Sequence, residues 1–383
     1  MQPGGYLLRL LAQSAWVAGI TLGVTVGATV GSTVALQAQP SEPWPLQMHA
    51  TETTGNQGAE GHQGAADADS GKPIAYQPLA RAEAPWRLCI LYPHLKDSYW
   101  LSVNHGMAEE ARRLGVGFTL YEAGGYPNLP RQIQQARACA EAGADALIIG
   151  TVSYDGMTPT LREIATRIPV IAAVNDIAPE AISARAAVPW RDMGAAAAAQ
   201  LARLHPKGSS PVNIAWFPGP EGAGWVRFVE EGFRTGLADS SARIVAVRHG
   251  DTGREEQVLL IEDVLDSQPA LDYLVGSGPM AEAAVSILRA RGREDIGIIS
   301  DYMTHAVHRG ILRGRILAAP SDFPVLQGRL AVEMAVRAIE GKLEIRAAGP
   351  DIVTVTAENI RAYDGAETLA PADFAPVFAI GPQ

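Results

Sequence analysis

The chain has 383 residues, 47% of them hydrophobic and 19% charged, which is near the soluble globular average and excludes bulk disorder. Its net charge is −10, and no stretch supplies the basic footprint that nucleic-acid binding needs. Two cysteines exclude a disulfide-rich scaffold and a cysteine-based zinc site, yet permit one bridge.

Arg9 is the only charge before Glu42, and an uncharged apolar and small-residue run ends at Leu36-Gln37-Ala38. Residues 1–38 read as a signal peptide, or as an uncleaved anchor, because the run exceeds the roughly 18 residues that span a bilayer. Either way the remainder lies outside the cytoplasm. Residues 39–84, rich in Gln, Pro, Ala, Gly and Ser, show no hydrophobic periodicity and are expected to be a disordered linker.

From Trp86 the pattern changes. Trp86–Tyr92 is an apolar run suited to a buried parallel strand, and Ser98–Leu114 has helical spacing with Asp97 or Ser98 as its cap. Strand Gly117–Glu122, helix Leu129–Ala142, strand Ala144–Gly150, helix Thr160–Arg167 and strand Val170–Asn175 follow. The rhythm restarts after Trp190, through helices 193–204, 226–237, 254–267 and 281–291 and strands 212–217, 244–247, 273–276 and 296–300. A helix over Val325–Gly341 and a strand over Ile352–Val355 end the pattern. Repeated βα units predict an α/β fold of two similar doubly wound parallel-sheet lobes joined by a multi-strand hinge. The expected N-terminal lobe is 85–188 with about 324–345. The expected C-terminal lobe is 189–323 with part of 346–360, and 361–383 is a tail.

Specific stretches then add to this reading. Leu91-Tyr92-Pro93, Leu95-Lys96-Asp97-Ser98-Tyr99-Trp100-Leu101, Glu122-Ala123-Gly124-Gly125-Tyr126 and Val188-Pro189-Trp190 resemble the type I periplasmic binding proteins. Within that family they resemble its trimethylamine N-oxide sensors. The resemblance runs from Trp86 to about residue 345. It implies a periplasmic protein that binds trimethylamine N-oxide between its lobes and signals to the periplasmic domain of a membrane sensor histidine kinase. It implies no cofactor and no catalysis.

Trimethylamine N-oxide carries three N-methyl groups with delocalised positive charge and one strongly accepting oxygen. The methyl side calls for aromatic faces, and the oxygen calls for donors. The candidate ligand residues are Trp100, Tyr126, Trp190 and Tyr302, with Tyr99 and Asp97 beside them. Each aromatic falls just past a predicted strand end or at the first crossing between lobes, where ligands of open α/β sheets bind. For Asp97, a helix cap is sufficient reason alone. Trp225 departs from the family pattern and is left out of the site.

Cys89 and Cys139, in the first strand and second helix, are expected neighbours in one βαβ unit. They are expected to form a disulfide if their Cα atoms lie within about 7 Å, and are otherwise two buried thiols. A sugar-binding component of an ABC uptake or chemotaxis system is the alternative function, with Asn104, Asn175, Asp176 and Asp301 as hydroxyl partners. Gly276-Ser277-Gly278-Pro279 reads as a turn and helix start rather than an anion cradle. His305 and His308, spaced i, i+3, lack a third metal ligand nearby, and no triad order or Walker loop is recognisable.

Overall fold

The computed structural model describes residues 42–49 and 71–382. Expectations for 1–38 lie outside them. The chain runs β1 (Trp44–Met48), β2 (Lys72–Tyr76), β3 (Arg87–Tyr92), α1 (Ser98–Leu114), β4 (Gly117–Glu122), α2 (Leu129–Glu141), β5 (Ala146–Ile149), α3 (Thr158–Ala165), β6 (Val170–Ala173) and β7 (Ala184–Ala186). It continues through α4 (Trp190–Leu204), β8 (Val212–Gly219), α5 (Gly224–Gly236), β9 (Ala242–His249), α6 (Arg254–Ser267), β10 (Tyr273–Gly276), α7 (Gly278–Ala290), β11 (Gly297–Ser300), α8 (His305–Leu312) and β12 (Ala318–Ser321). It ends with α9 (Pro324–Ile339), β13 (Ala347–Gly349), β14 (Val353–Thr356) and β15 (Ala379–Ile380).

These strands form two sheets, one per lobe. The first has the order β15-β4-β3-β5-β6-β7-β13-β1-β2 and the second β14-β12-β11-β10-β8-β9. In each, β4 to β13 and β9 to β12 respectively are parallel, as crossover helices require. The chain passes between sheets after β7, after β12, after β13 and after β14.

The parallel strands carry apolar residues on both faces because helices cover both. In β3, Leu88, Ile90 and Tyr92 join the cluster under α1 and α9, while Cys89 and Leu91 join Leu147, Ile149 and Ala172 under α2 and α3. Each such side chain stabilises the fold by roughly 1.5–3 kcal/mol on full burial. Helices pair tightly within each lobe, α1 with α9 and α4 with α5. A Cβ on Gly106 would overlap the Val325 carbonyl, and one on Gly232 would overlap that of Arg191. These close crossings fix three helices, α1, α4 and α5, whose first turns reach the cleft.

The structure corrects two expectations. The stretch 39–84 is not wholly a disordered linker: β1 and β2 form an antiparallel hairpin that pairs with β13. Trp44 stacks on Tyr76, and the Arg329 and Arg337 guanidiniums of α9 lie over those two rings. Pro73 and Lys72 on the outer strand suit an unpaired edge. The stretch 361–383 is not merely a tail, since β15 pairs with β4. Five- and two-residue strands carry too little alternation to be seen, and their pairing is wholly non-local.

Cys89 and Cys139 are disulfide-bonded, with Cα atoms 5.9 Å apart and a separation of 50 residues. Loop closure over that separation contributes ~4 kcal/mol in the chain-entropy treatment. Mass spectrometry of unreduced protein from the periplasm should therefore find no alkylatable thiol, and reduction should lower the melting temperature. Two free thiols would refute the bridge.

Candidate functional site

The first turns of α1, α4 and α5 converge between the lobes with the ends of β4, β6 and β11. Together they form a small cavity lined by Asp97, Tyr99, Trp100, Tyr126, Asn175, Trp190, Trp225, Thr252 and Tyr302. No lysine or arginine is among them. The six aromatic residues are at most 7% exposed, so the cleft is shut.

Asp97 organises this wall. Its Oδ1 accepts the Tyr99 backbone N–H at 2.9 Å, capping α1, and its Oδ2 accepts the Tyr302 hydroxyl from the other lobe at 2.6 Å. Cap and cleft roles therefore coexist. Burial pushes the Asp97 carboxyl up to about 6, against the two hydrogen bonds that favour its charge. Tyr99, beside Trp100 on the same turn, also faces the cavity; its hydroxyl donates to Asp322 Oδ2 at 2.6 Å. Trp100 lies over the end of β5, where a Cβ on Gly150 would strike its ring.

Trp190 begins α4 and donates its indole N–H to the Val174 carbonyl at 2.9 Å. Its ring meets Tyr302 edge-on, with centroids 6.1 Å apart. Asn175 Nδ2 donates to the Tyr126 hydroxyl at 3.0 Å and to the Thr151 carbonyl at 2.8 Å. That leaves the Tyr126 proton free to turn into the cavity. At the rim, His94 Nε2 meets Thr252 Oγ1 at 2.8 Å and Lys96 Nζ meets Asp251 at 3.3 Å, joining the lobes again. Burial lowers the His94 pKa to about 4.

All six expected residues thus line one cavity, and Trp225 is a correction. Its ring lies 4.8 Å from Trp190 and 6.3 Å from both Tyr126 and Tyr302, and its buried Nε1 has no hydrogen-bond partner. A signal was present: like Trp100, it opens a helix just past a strand end. Of the four hydroxyl partners considered for a sugar, only Asn175 lines the cavity. Asn104 is held by the Val377 backbone, Asp176 pairs with Arg185, and Asp301 is fully buried outside the lining. Ser277 caps α7, as a helix start requires, and His305 Nε2 bonds the Ala370 carbonyl. Among the described residues no group of three or more metal-ligating side chains occurs.

Comparison with known proteins accords with this architecture. Residues 85–363 match the family described as periplasmic binding proteins and sugar binding domain of LacI family. The periplasmic protein TorT of Escherichia coli K12 is 39% identical over 307 residues, 79% of this chain and 87% of that protein. Crystal structures of the TorS sensor domain–TorT complex, without ligand and with TMAO (trimethylamine N-oxide), superpose with TM-score 0.69 at 40% identity. They cover 76% of this chain and 99% of that one. An ABC transporter solute binding protein from Bradyrhizobium sp. BTAi1, with bound bis-tris, gives TM-score 0.71 at 41% identity over 88% of this chain and 98% of that one. The chain belongs to the type I periplasmic binding protein family and is a periplasmic protein similar to TorT.

Proposed function

We propose that this protein binds trimethylamine N-oxide in the aromatic cage between its lobes and reports occupancy to the periplasmic domain of a TorS-like sensor histidine kinase. The observation that carries the reading is the shut cavity walled by six aromatic rings around one carboxylate, without a cation. Ring faces attract the methylated nitrogen. The Tyr126 hydroxyl and the Trp225 indole N–H serve the oxygen. The TorS–TorT complex structures support the partner.

Catalysis is not part of the proposal. The arrangement His94–Thr252–Asp251 is not a triad, because Asp251 approaches the same Nε2 that meets Thr252, at 3.7 Å. The similarity to an ABC transporter solute binding protein supports a second reading, uptake of a small polar solute. The cavity offers a sugar few of the side-chain partners its hydroxyls need.

Ligand size bounds the affinity. Trimethylamine N-oxide has about five non-hydrogen atoms, and the best tiny ligands reach about −1.5 kcal/mol per atom. The limit is near −7.5 kcal/mol, a dissociation constant of roughly a few micromolar. Calorimetry should give tens to hundreds of micromolar, with no heat from ribose or glucose. A nanomolar constant, or a sugar bound in preference, would refute the reading.

Trp190→Ala should weaken binding by roughly 1–2 kcal/mol with the lobes still folded, and Trp190→Phe by less. Unchanged affinity in Trp190→Ala would show that the cage is wrongly drawn.

Binding should also depend on pH. The methylated nitrogen favours ionised Asp97, whose pKa burial holds at about 6 in the free cleft. Affinity is then full above that value and falls as pH drops through it, by up to about tenfold per unit. Titrations near pH 7.5 and 5 should show this loss, and Asp97→Asn should flatten it. An affinity that rises on acidification would contradict the assignment.

A further inference from the structure

Among the described residues, only Val174 and Phe323 hold a left-handed backbone without being glycine, with φ of 67° and 53°. A β-branched residue there is an outlier, because its Cβ crowds the following carbonyl, and it persists only where its surroundings dictate it. Both residues stand at the cleft. Phe323 follows Asp322, the acceptor of the Tyr99 hydroxyl. Val174 follows β6 with its side chain buried.

The turn at Val174 is a tight one. Asn175 N–H donates to the Ala173 carbonyl at 2.7 Å, an i to i+2 bond of the rare positive-φ γ-turn. Val174 N–H is tied in turn to the Ala186 carbonyl of β7 at 3.0 Å. Two cage walls hang on this turn. The Val174 carbonyl takes the Trp190 indole N–H, and the next residue, Asn175, donates to the Tyr126 hydroxyl. Tyr126 belongs to the first lobe, while Trp190 opens a helix of the second.

We propose that Val174 is a positioning residue whose γ-turn presets the separation of Tyr126 and Trp190 before ligand arrives, and so sets the size of ligand accepted. The buried branched side chain holds the turn in a conformation the backbone alone disfavours. What the cage accepts rests on the function proposed above; the positioning itself does not.

The experiment follows hydrogen exchange of the Trp190 indole N–H by NMR in ligand-free protein, with calorimetry against trimethylamine N-oxide and the bulkier triethylamine N-oxide. In the unaltered protein the indole should be protected. Val174→Gly relieves the strain at positive φ but removes a buried side chain, so its two effects on the melting temperature oppose each other. Its Trp190 indole should exchange faster, trimethylamine N-oxide should bind about fivefold more weakly, and the preference for the smaller N-oxide should shrink. Val174→Ile should restore all three. Should the glycine variant not fold, Val174→Asn, which also accepts left-handed backbone, is read in the same way. Protection and size preference unchanged in these variants would overturn the inference. If neither N-oxide binds the unaltered protein, the functional reading fails, and the exchange data alone still decide the role of Val174.

Discussion

A carboxylate buried between two lobes needs partners on both sides, and Asp97 has them. One oxygen starts α1 and the other holds Tyr302 of the opposite lobe. A mirror of this bond joins Tyr99 to Asp322. Lobe closure thus draws on phenol–carboxylate hydrogen bonds, each worth roughly 1.5–3 kcal/mol when the acceptor is charged, together with the His94–Thr252 and Lys96–Asp251 contacts at the rim. The phenol bonds also aim the Tyr99 and Tyr302 rings at the cavity. Losing Asp97 would leave a helix uncapped, a phenol unpaired and the cage open on one side.

The remainder of the fold supplies rigidity to that junction. α1 is clamped to α9 and α4 to α5 by contacts that only glycine permits. The aromatics at their first turns are therefore carried by helices that move with their lobes. Gly224 makes the same point across the cleft, since a Cβ there would overlap the Asp176 carbonyl of the first lobe. A ligand of about five heavy atoms offers little binding energy to reorganise a protein. A cage already assembled by protein–protein hydrogen bonds lets most of that energy appear as affinity.

Much of this was legible in the sequence. The strands β3, β5, β6, β10 and β11 are continuous apolar runs because helices cover both faces, and such runs stand out from their polar surroundings. Asp97 before Ser98 marked a helix cap, and the aromatics just past strand ends marked the cleft only with the family resemblance beside them. Trp225 was left out because Gly224-Trp225 departs from the family pattern, although like Trp100 it opens a helix just past a strand end. The β1–β2 hairpin escaped because its stability comes from α9 and β13, more than 240 residues away in sequence. The left-handed turn at Val174 left no trace, since valine is the residue least expected there.

The most direct test of the cage is a crystal structure of the exported domain grown with trimethylamine N-oxide. The account predicts its nitrogen within about 6 Å of the Trp100, Trp190 and Tyr302 ring centroids, inside closed lobes, with its oxygen toward Tyr126 and Trp225. A ligand bound elsewhere, or a sugar retained in the cleft in its place, would contradict it.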